Sequence, residues 1–118
     1  MRFSKRGAFY QVSRVTGPTH NFLAVELATT PQRTPPQIEA LQGFCNGHEE
    51  LDPAEIVRSV LEGLALANGT FNTEYEATHV QCHLGDNPPE VVYGVLAYKI
   101  VERLVSGGEF VEEDERQP

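Results

Sequence analysis

The residues best suited to chemistry in this sequence are two cysteines and four histidines. Cys45 and His48 stand three positions apart, and thiolate and imidazole are both common zinc ligands, so zinc could bind if Cys82 and one further histidine joined them. A thiol enzyme would instead use Cys45 as nucleophile, with His48 or His20 as base and an acid such as Glu49 to orient it. A single Cys-x-x-His is far less specific than a paired metal motif, so we expect no metal and no other cofactor.

A second pair, His79 and His83, has the four-residue spacing that places two ligands one turn apart on a helix. The surrounding segment 74–84 alternates between apolar and polar residues, however, and this period of two predicts a half-buried strand. On a strand the two histidines lie about 13 Å apart, too far for one ion. We therefore predict no two-histidine metal site, with Val80 and Cys82 facing inward.

Other catalytic signatures are missing from the sequence. It contains no Gly-x-Ser-x-Gly, no glycine-rich phosphate loop and no His-Glu-x-x-His. This absence favours a protein without enzymatic activity, with the metal-dependent or thiol enzyme on Cys45 and His48 as the alternative.

Length and composition indicate one folded domain. The chain has 118 residues, of which 40% are hydrophobic and 22% charged, and such values exclude a disordered chain or a membrane protein. We expect residues 1–108 to form a single domain and residues 109–118 to be an acidic tail, disordered beyond Val111. Two cysteines and no visible secretory signal predict a cytoplasmic location with reduced thiols.

Charge is unevenly distributed along the chain. The formal net charge is −8, yet residues 1–20 contain four basic residues and no acid. A net acidic body argues against nucleic-acid binding, which needs a basic surface. Nucleic-acid binding through the basic N-terminal arm remains a second, less favoured alternative.

The first half of the chain predicts a β-hairpin followed by an irregular connection. Segments 8–15 and 22–27 carry the aromatic, β-branched or alternating residues of strands, with a loop of about six residues between them. Three prolines within residues 28–37 exclude a helix or a central strand there. Pro36 could open a short helical turn with Ile38, Leu41 and Phe44 on one side.

The second half predicts helix, strand, helix. Asp52 and Pro53 form a helix start, and Asn68-Gly69 a helix end. After the strand at 74–84, Asn87 is expected to cap a helix over residues 88–106. The order β-β-(short α)-α-β-α predicts an α+β fold, with a small mixed or antiparallel sheet (the hairpin plus a third strand) and two long helices packed on one face.

The other face of this sheet is the candidate binding surface, because tyrosine, histidine and arginine recur at interface hot spots. The residues expected to share it are Tyr75, His79, Gln81 and His83 of the third strand, with Tyr10 and Arg14 of the first.

The helix over residues 88–106 is more apolar than one buried stripe requires. A second copy of the chain could cover the excess, so we expect a homodimer through this helix. The sequence thus favours a small cytosolic, non-enzymatic binding or regulatory protein that acts through contacts with itself and with another protein. No membrane contact is expected.

Overall fold

The computed structural model describes residues 1–17, 19–41 and 48–113. The elements along the chain are β1 (Arg2–Arg6), β2 (Phe9–Thr16), β3 (Thr19–Ala28), β4 (Gln37–Leu41), α1 (Pro53–Phe71), β5 (Glu76–His83), α2 (Val92–Ser106) and β6 (Val111–Glu113). The strands form one mixed sheet in the order β4-β5-β3-β2-β1-β6, and both helices pack on the same face of it. The α+β class and the mixed sheet are confirmed, but over the described residues this sheet has six strands where three were expected.

The predicted hairpin is present as β2 and β3. The two strands pair antiparallel from Phe9 opposite Glu26 to Thr16 opposite Thr19, so only positions 17 and 18 separate the paired ends. The connection is therefore shorter than the six residues expected. Gly17 has φ +61°, a left-handed conformation that glycine adopts without steric cost.

The short helix predicted after Pro36 is wrong. Residues Gln37–Leu41 form β4, which pairs parallel with β5 and places Ile38 opposite Val80. Parallel neighbours need a crossover connection, and α1 provides it. Phe44, the last residue of the predicted turn, lies outside the described residues.

The terminal segments add two strands that the sequence did not indicate. β1 pairs antiparallel with β2, and β6 pairs parallel with β1. Phe110 anchors β6, because its ring packs edge-on against Phe3 and Tyr10 at centroid distances of 5.8 and 5.1 Å. Disorder directly beyond Val111 is therefore wrong for Glu112 and Glu113, whereas residues 114–118 lie outside the described part of the chain.

The first helix begins where the sequence predicted. The Ala54 amide donates to the Asp52 carboxylate at 3.0 Å, which caps the first turn. The helix continues past Asn68 to Phe71 and ends at Asn72, whose φ is 55°. Asn68 does not end the helix. Its side chain instead accepts from the Tyr75 amide and donates to the Tyr75 carbonyl oxygen.

The second helix begins later than expected. The Asn87 side chain accepts from the His20 amide at 2.8 Å and does not cap the helix, which starts at Val92. At the other end the helix finishes at Ser106 as expected, and Gly107, with φ 75°, forms a left-handed cap.

The core lies between the sheet and the helices. As predicted, Val80 and Cys82 of β5 face inward and are fully buried. A strict period of two over residues 74–84 would turn Ala77 outward together with His79, but Ala77 is 3% exposed. The reason is an irregularity in the β3–β5 ladder, where Glu26 pairs with His79 but Leu27 with Ala77, so that the alternation shifts by one residue.

The helices touch through two glycines. A Cβ added at Gly63 would overlap the carbonyl oxygen of Gly94, and one added at Gly94 would lie 2.6 Å from the Ser59 carbonyl oxygen. The Ser59 hydroxyl also donates to the Val91 carbonyl and accepts from the Gly94 amide. Small residues thus allow the two backbones to approach closely, and they leave a groove on the outer side.

Candidate functional site

The predicted patch on the sheet is divided by the structure. His79, Gln81 and His83 share the face that points away from the helices, since they alternate with the buried Val80 and Cys82.

The other three patch residues lie elsewhere. Tyr10 pairs with the buried Val25 and therefore faces the helices, where its ring meets Phe110. Arg14 is on that same side and donates to the Asn21 side chain at 3.1 Å. Tyr75 precedes β5 and is tied to the end of α1 by its backbone hydrogen bonds.

The residues of β2 and β3 that do share the open face carry aromatic rings. Phe9 meets His79 edge-on at 6.4 Å, and Phe22 packs beside His83 at 5.1 Å. Glu26 pairs with His79, with 3.1 Å between carboxylate and Nδ1. Phe9 was missed because the opposite parity was expected for β2, which has one aromatic residue and one valine on each face. Phe22 and Glu26 were missed because the expected patch included no residue of β3.

The amide side chains at the centre of this face are already engaged. Gln11 donates to the Ser4 hydroxyl at 3.0 Å and to the Glu113 carboxylate at 3.2 Å, linking β2 to both β1 and β6. The centre of the open face is therefore a buried hydrogen-bonded cluster, because Gln11 and Ser4 are 6% and 5% exposed, and an aromatic–histidine pair lies on either side of it.

A buried carboxylate lies at the end of the sheet where β5 finishes. Asp86 is 5% exposed and accepts from the Tyr93 hydroxyl and from the Phe22 amide, both at 2.7 Å. The half-exposed His20 lies 3.3 Å from its other oxygen. Asp86 is a functional candidate that the sequence did not indicate, because nothing in its local sequence distinguishes a turn aspartate from a buried one.

The Asp86 carboxylate contributes to a raised pKa of two neighbouring groups, Cys82 and Tyr93. Burial, and secondarily the charge of Asp86, raises the pKa of the Cys82 thiol to about 11. Burial and the hydrogen bond to Asp86 also raise the pKa of Tyr93 above its usual value. Because the thiolate is the nucleophilic form, a neutral buried Cys82 is poorly suited to covalent chemistry near pH 7.

The pair considered for metal or thiol chemistry is only partly described. Cys45 lies outside the described residues. His48 is half-buried, and its Nδ1 lies 2.9 Å from the Glu49 carbonyl oxygen. Across residues 1–17, 19–41 and 48–113, no group of three or more histidine, cysteine, aspartate or glutamate side chains is arranged to hold a metal ion.

The basic N-terminal arm does not form one surface. Arg2 and Arg6 belong to the open-face register of β1, whereas Lys5 lies 5.2 Å from the ring centroid of Tyr10, which faces the helices. Arg14 also belongs to the helix side of the sheet. The four positive charges are thus divided between two faces.

The outer side of the two helices is an apolar surface. Leu66 of α1 and Val91 and Val95 at the start of α2 are 64%, 63% and 51% exposed. They border a groove of about 320 Å³ over the glycine contact, with Tyr98 at one end. Within the part of the chain that the structure covers, no helix has the length and apolarity to cross a membrane.

Comparisons of the sequence with protein-family models and curated proteins, and of the fold with solved structures, find no match.

Proposed function

We propose that this protein is a small binding or regulatory protein that acts through protein–protein contacts as a homodimer, with the outer side of α1 and α2 as the contact between copies. The exposure of Leu66, Val91 and Val95 around one groove carries the proposal. Contiguous apolar side chains at a surface are typical of interaction sites.

The pattern along α2 supports a helical partner. Val91, Val95 and Val105 are exposed, and the half-buried Tyr98 and Glu102 lie between Val95 and Val105, so that the five positions are spaced by four, three, four and three residues. This is the heptad spacing by which one helix packs along another. The excess apolarity that the sequence indicated over residues 88–106 thus lies along one stripe.

A second copy fits this surface better than an unrelated chain. In a twofold contact each patch must complement itself, so protrusions and hollows have to lie side by side. Here the exposed Leu66 and Val95 stand beside the groove over Gly63 and Gly94, which could receive the same side chains of another copy.

Charge is consistent with this choice. Two chains of net charge −8 repel each other unless the contact itself is nearly neutral. Within the stripe, the Glu102 carboxylate lies 3.2 Å from the Lys99 ammonium, and Glu62 is the one acid lining the groove.

The alternatives receive less support from the described residues. Among the described residues no cluster of metal ligands surrounds His48. The basic side chains of the N-terminal arm are divided between the two faces of the sheet. A cytoplasmic location belongs to the same proposal and is supported by Cys82, a buried thiol outside any disulfide, since reducing compartments preserve such thiols.

Sedimentation of the purified chain tests the dimer. We expect the wild type to be dimeric at roughly 100 µM, and Val95→Glu to be monomeric because it buries a charge in the contact. Val15→Glu is the matched control, because Val15 is 67% exposed on β2 and far from the helices. A monomeric wild type, or a Val95→Glu variant that still dimerises, would contradict the proposal.

A further inference from the structure

The strand β4 forms one edge of the sheet. Its five residues pair with β5 on the inner side, and within residues 1–17, 19–41 and 48–113 no strand pairs with its outer side. Gln37, Ile38, Glu39 and Ala40 are all exposed. A strand edge presents backbone donors and acceptors in a row, which is a template for another extended chain.

Two hollows lie near this strand, one on the open face over β4 and β5 and one on the helix side beside the residues that lead into β4. The hollow on the open face has a volume of about 240 Å³ and lies among Phe9, Gln37–Glu39 and His79–Gln81. The hollow on the helix side has about 360 Å³ and lies among Gln32–Pro36, Leu61 and Glu76–Ala77. Successive side chains of an added strand point to opposite faces, so one strand could reach both hollows.

The two hollows differ in chemistry. On the open face the hollow is lined by the exposed Glu39, and the Glu26 carboxylate lies nearby beside His79. On the helix side the hollow is lined by Leu61, which is 41% exposed, together with Arg33 and Glu76. Ile38 pairs with the buried Val80, so its 38% exposed side chain adds apolar surface on this side of the strand. The edge therefore suits a strand with basic residues toward the open face and apolar residues toward the helices.

We propose that β4 binds an extended peptide segment of a partner protein as an added strand, and that this segment alternates lysine or arginine with apolar residues. The net charge of −8 favours the approach of such a segment. A second copy of β4 suits the edge less well, because it would bring two Glu39 side chains together, and like charges across strands repel. The site is distinct from the helix groove, so it stands or falls independently of the dimer.

The test uses a fluorescent seven-residue peptide that alternates lysine with valine, and the full chain. We expect a Kd of roughly 10–100 µM by fluorescence anisotropy, and about tenfold weaker binding to Glu39→Lys. Glu112→Lys is the matched control, because it makes the same charge change on β6 at the opposite edge of the sheet. We expect it to bind within about twofold of the wild type.

Backbone pairing separates strand addition from simple charge attraction. The same peptide with alternate amides N-methylated keeps its charge but loses donors, and we expect at least about tenfold weaker binding. Hydrogen exchange should slow at Gln37–Leu41 when the unmodified peptide is added. The proposal is overturned if the N-methylated peptide binds equally well, if Glu112→Lys weakens binding as much as Glu39→Lys, or if Gln37–Leu41 become protected with increasing protein concentration and no peptide.

Discussion

The Tyr93 hydroxyl donates to the Asp86 carboxylate at 2.7 Å, and both side chains are removed from solvent. The same carboxylate oxygen accepts from the Phe22 amide, so that one side chain joins the second helix to a central strand. Asp86 lies beside β3, just beyond the point where β5 ends at His83.

Asp86→Asn should therefore be strongly destabilising. Both hydrogen bonds go to one carboxylate oxygen, and an uncharged amide oxygen in its place would be a weaker acceptor for the Tyr93 hydroxyl and the Phe22 amide. The NH₂ group would replace the oxygen that faces His20. We expect a loss of about 2–4 kcal/mol in the free energy of unfolding, measured with urea. Tyr93→Phe removes one hydroxyl and should lose about 1–2 kcal/mol. If Asp86→Asn were as stable as the wild type, Asp86 would not have the joining role assigned to it.

The helix contact gives a second prediction. Gly63→Ala places a methyl group against the Gly94 backbone, which cannot yield without moving a helix, so we expect a loss of about 1–3 kcal/mol. Gly69 is in the same helix but has nothing within 4 Å of an added Cβ. Gly69→Ala should therefore gain about 0.5–1 kcal/mol from helix propensity. Thermal unfolding of the two variants should show a lower Tm for Gly63→Ala and a higher Tm for Gly69→Ala. Equal changes in Tm for the two variants would refute the steric explanation.

Alkaline pH should destabilise the fold through Cys82. Its pKa rises from 9.0 to about 11 on folding, so the folded state holds its proton more tightly than the unfolded state. The contribution of the Cys82 thiol to the free energy of unfolding is complete below pH 9 and is lost as the pH rises from 9 to 11. At pH 10 about 1 kcal/mol of the free energy of unfolding is lost. Tyr93 acts in the same direction at higher pH, because its pKa is also raised.

Urea unfolding at pH 7, 9 and 10 measures this loss. Cys82→Ala removes the titrating thiol, so its stability should fall less between pH 9 and 10 than that of the wild type, whatever its stability at pH 7. Equal slopes for the two proteins would mean that the thiol does not contribute.

Several local features were predictable because neighbouring residues specify them. The start of α1 depends on Asp52 and Pro53, which supply the cap and the first turn within three residues. The extended conformation of β5 follows from its period of two, and so does the inward position of Val80 and Cys82. In the candidate patch, the shared face of His79, Gln81 and His83 was predictable on the same ground.

Long-range pairing decided the remainder. Gln37–Leu41 is a strand because β5 offers it a parallel partner, which outweighs the weak helical spacing of Ile38 and Leu41. The parity of β2 could not be assigned from its own residues, since Phe9 and Tyr10 are both aromatic and face opposite sides. Only packing under α2 distinguishes them.

The sequence by itself determined the two long helices apart from their ends, the pairing of the two hairpin strands and the inward position of Val80 and Cys82, because hydrogen bonds and periodic burial within one segment act between residues close along the chain. Tertiary structure alone decided the edge position of β4 and the role of Asp86 in joining α2 to β3. It also decided that Tyr10 and Arg14 lie on the opposite face of the sheet from the histidines. Each of these depends on which distant segment lies alongside, and the free energy of that contact is not encoded in any single segment.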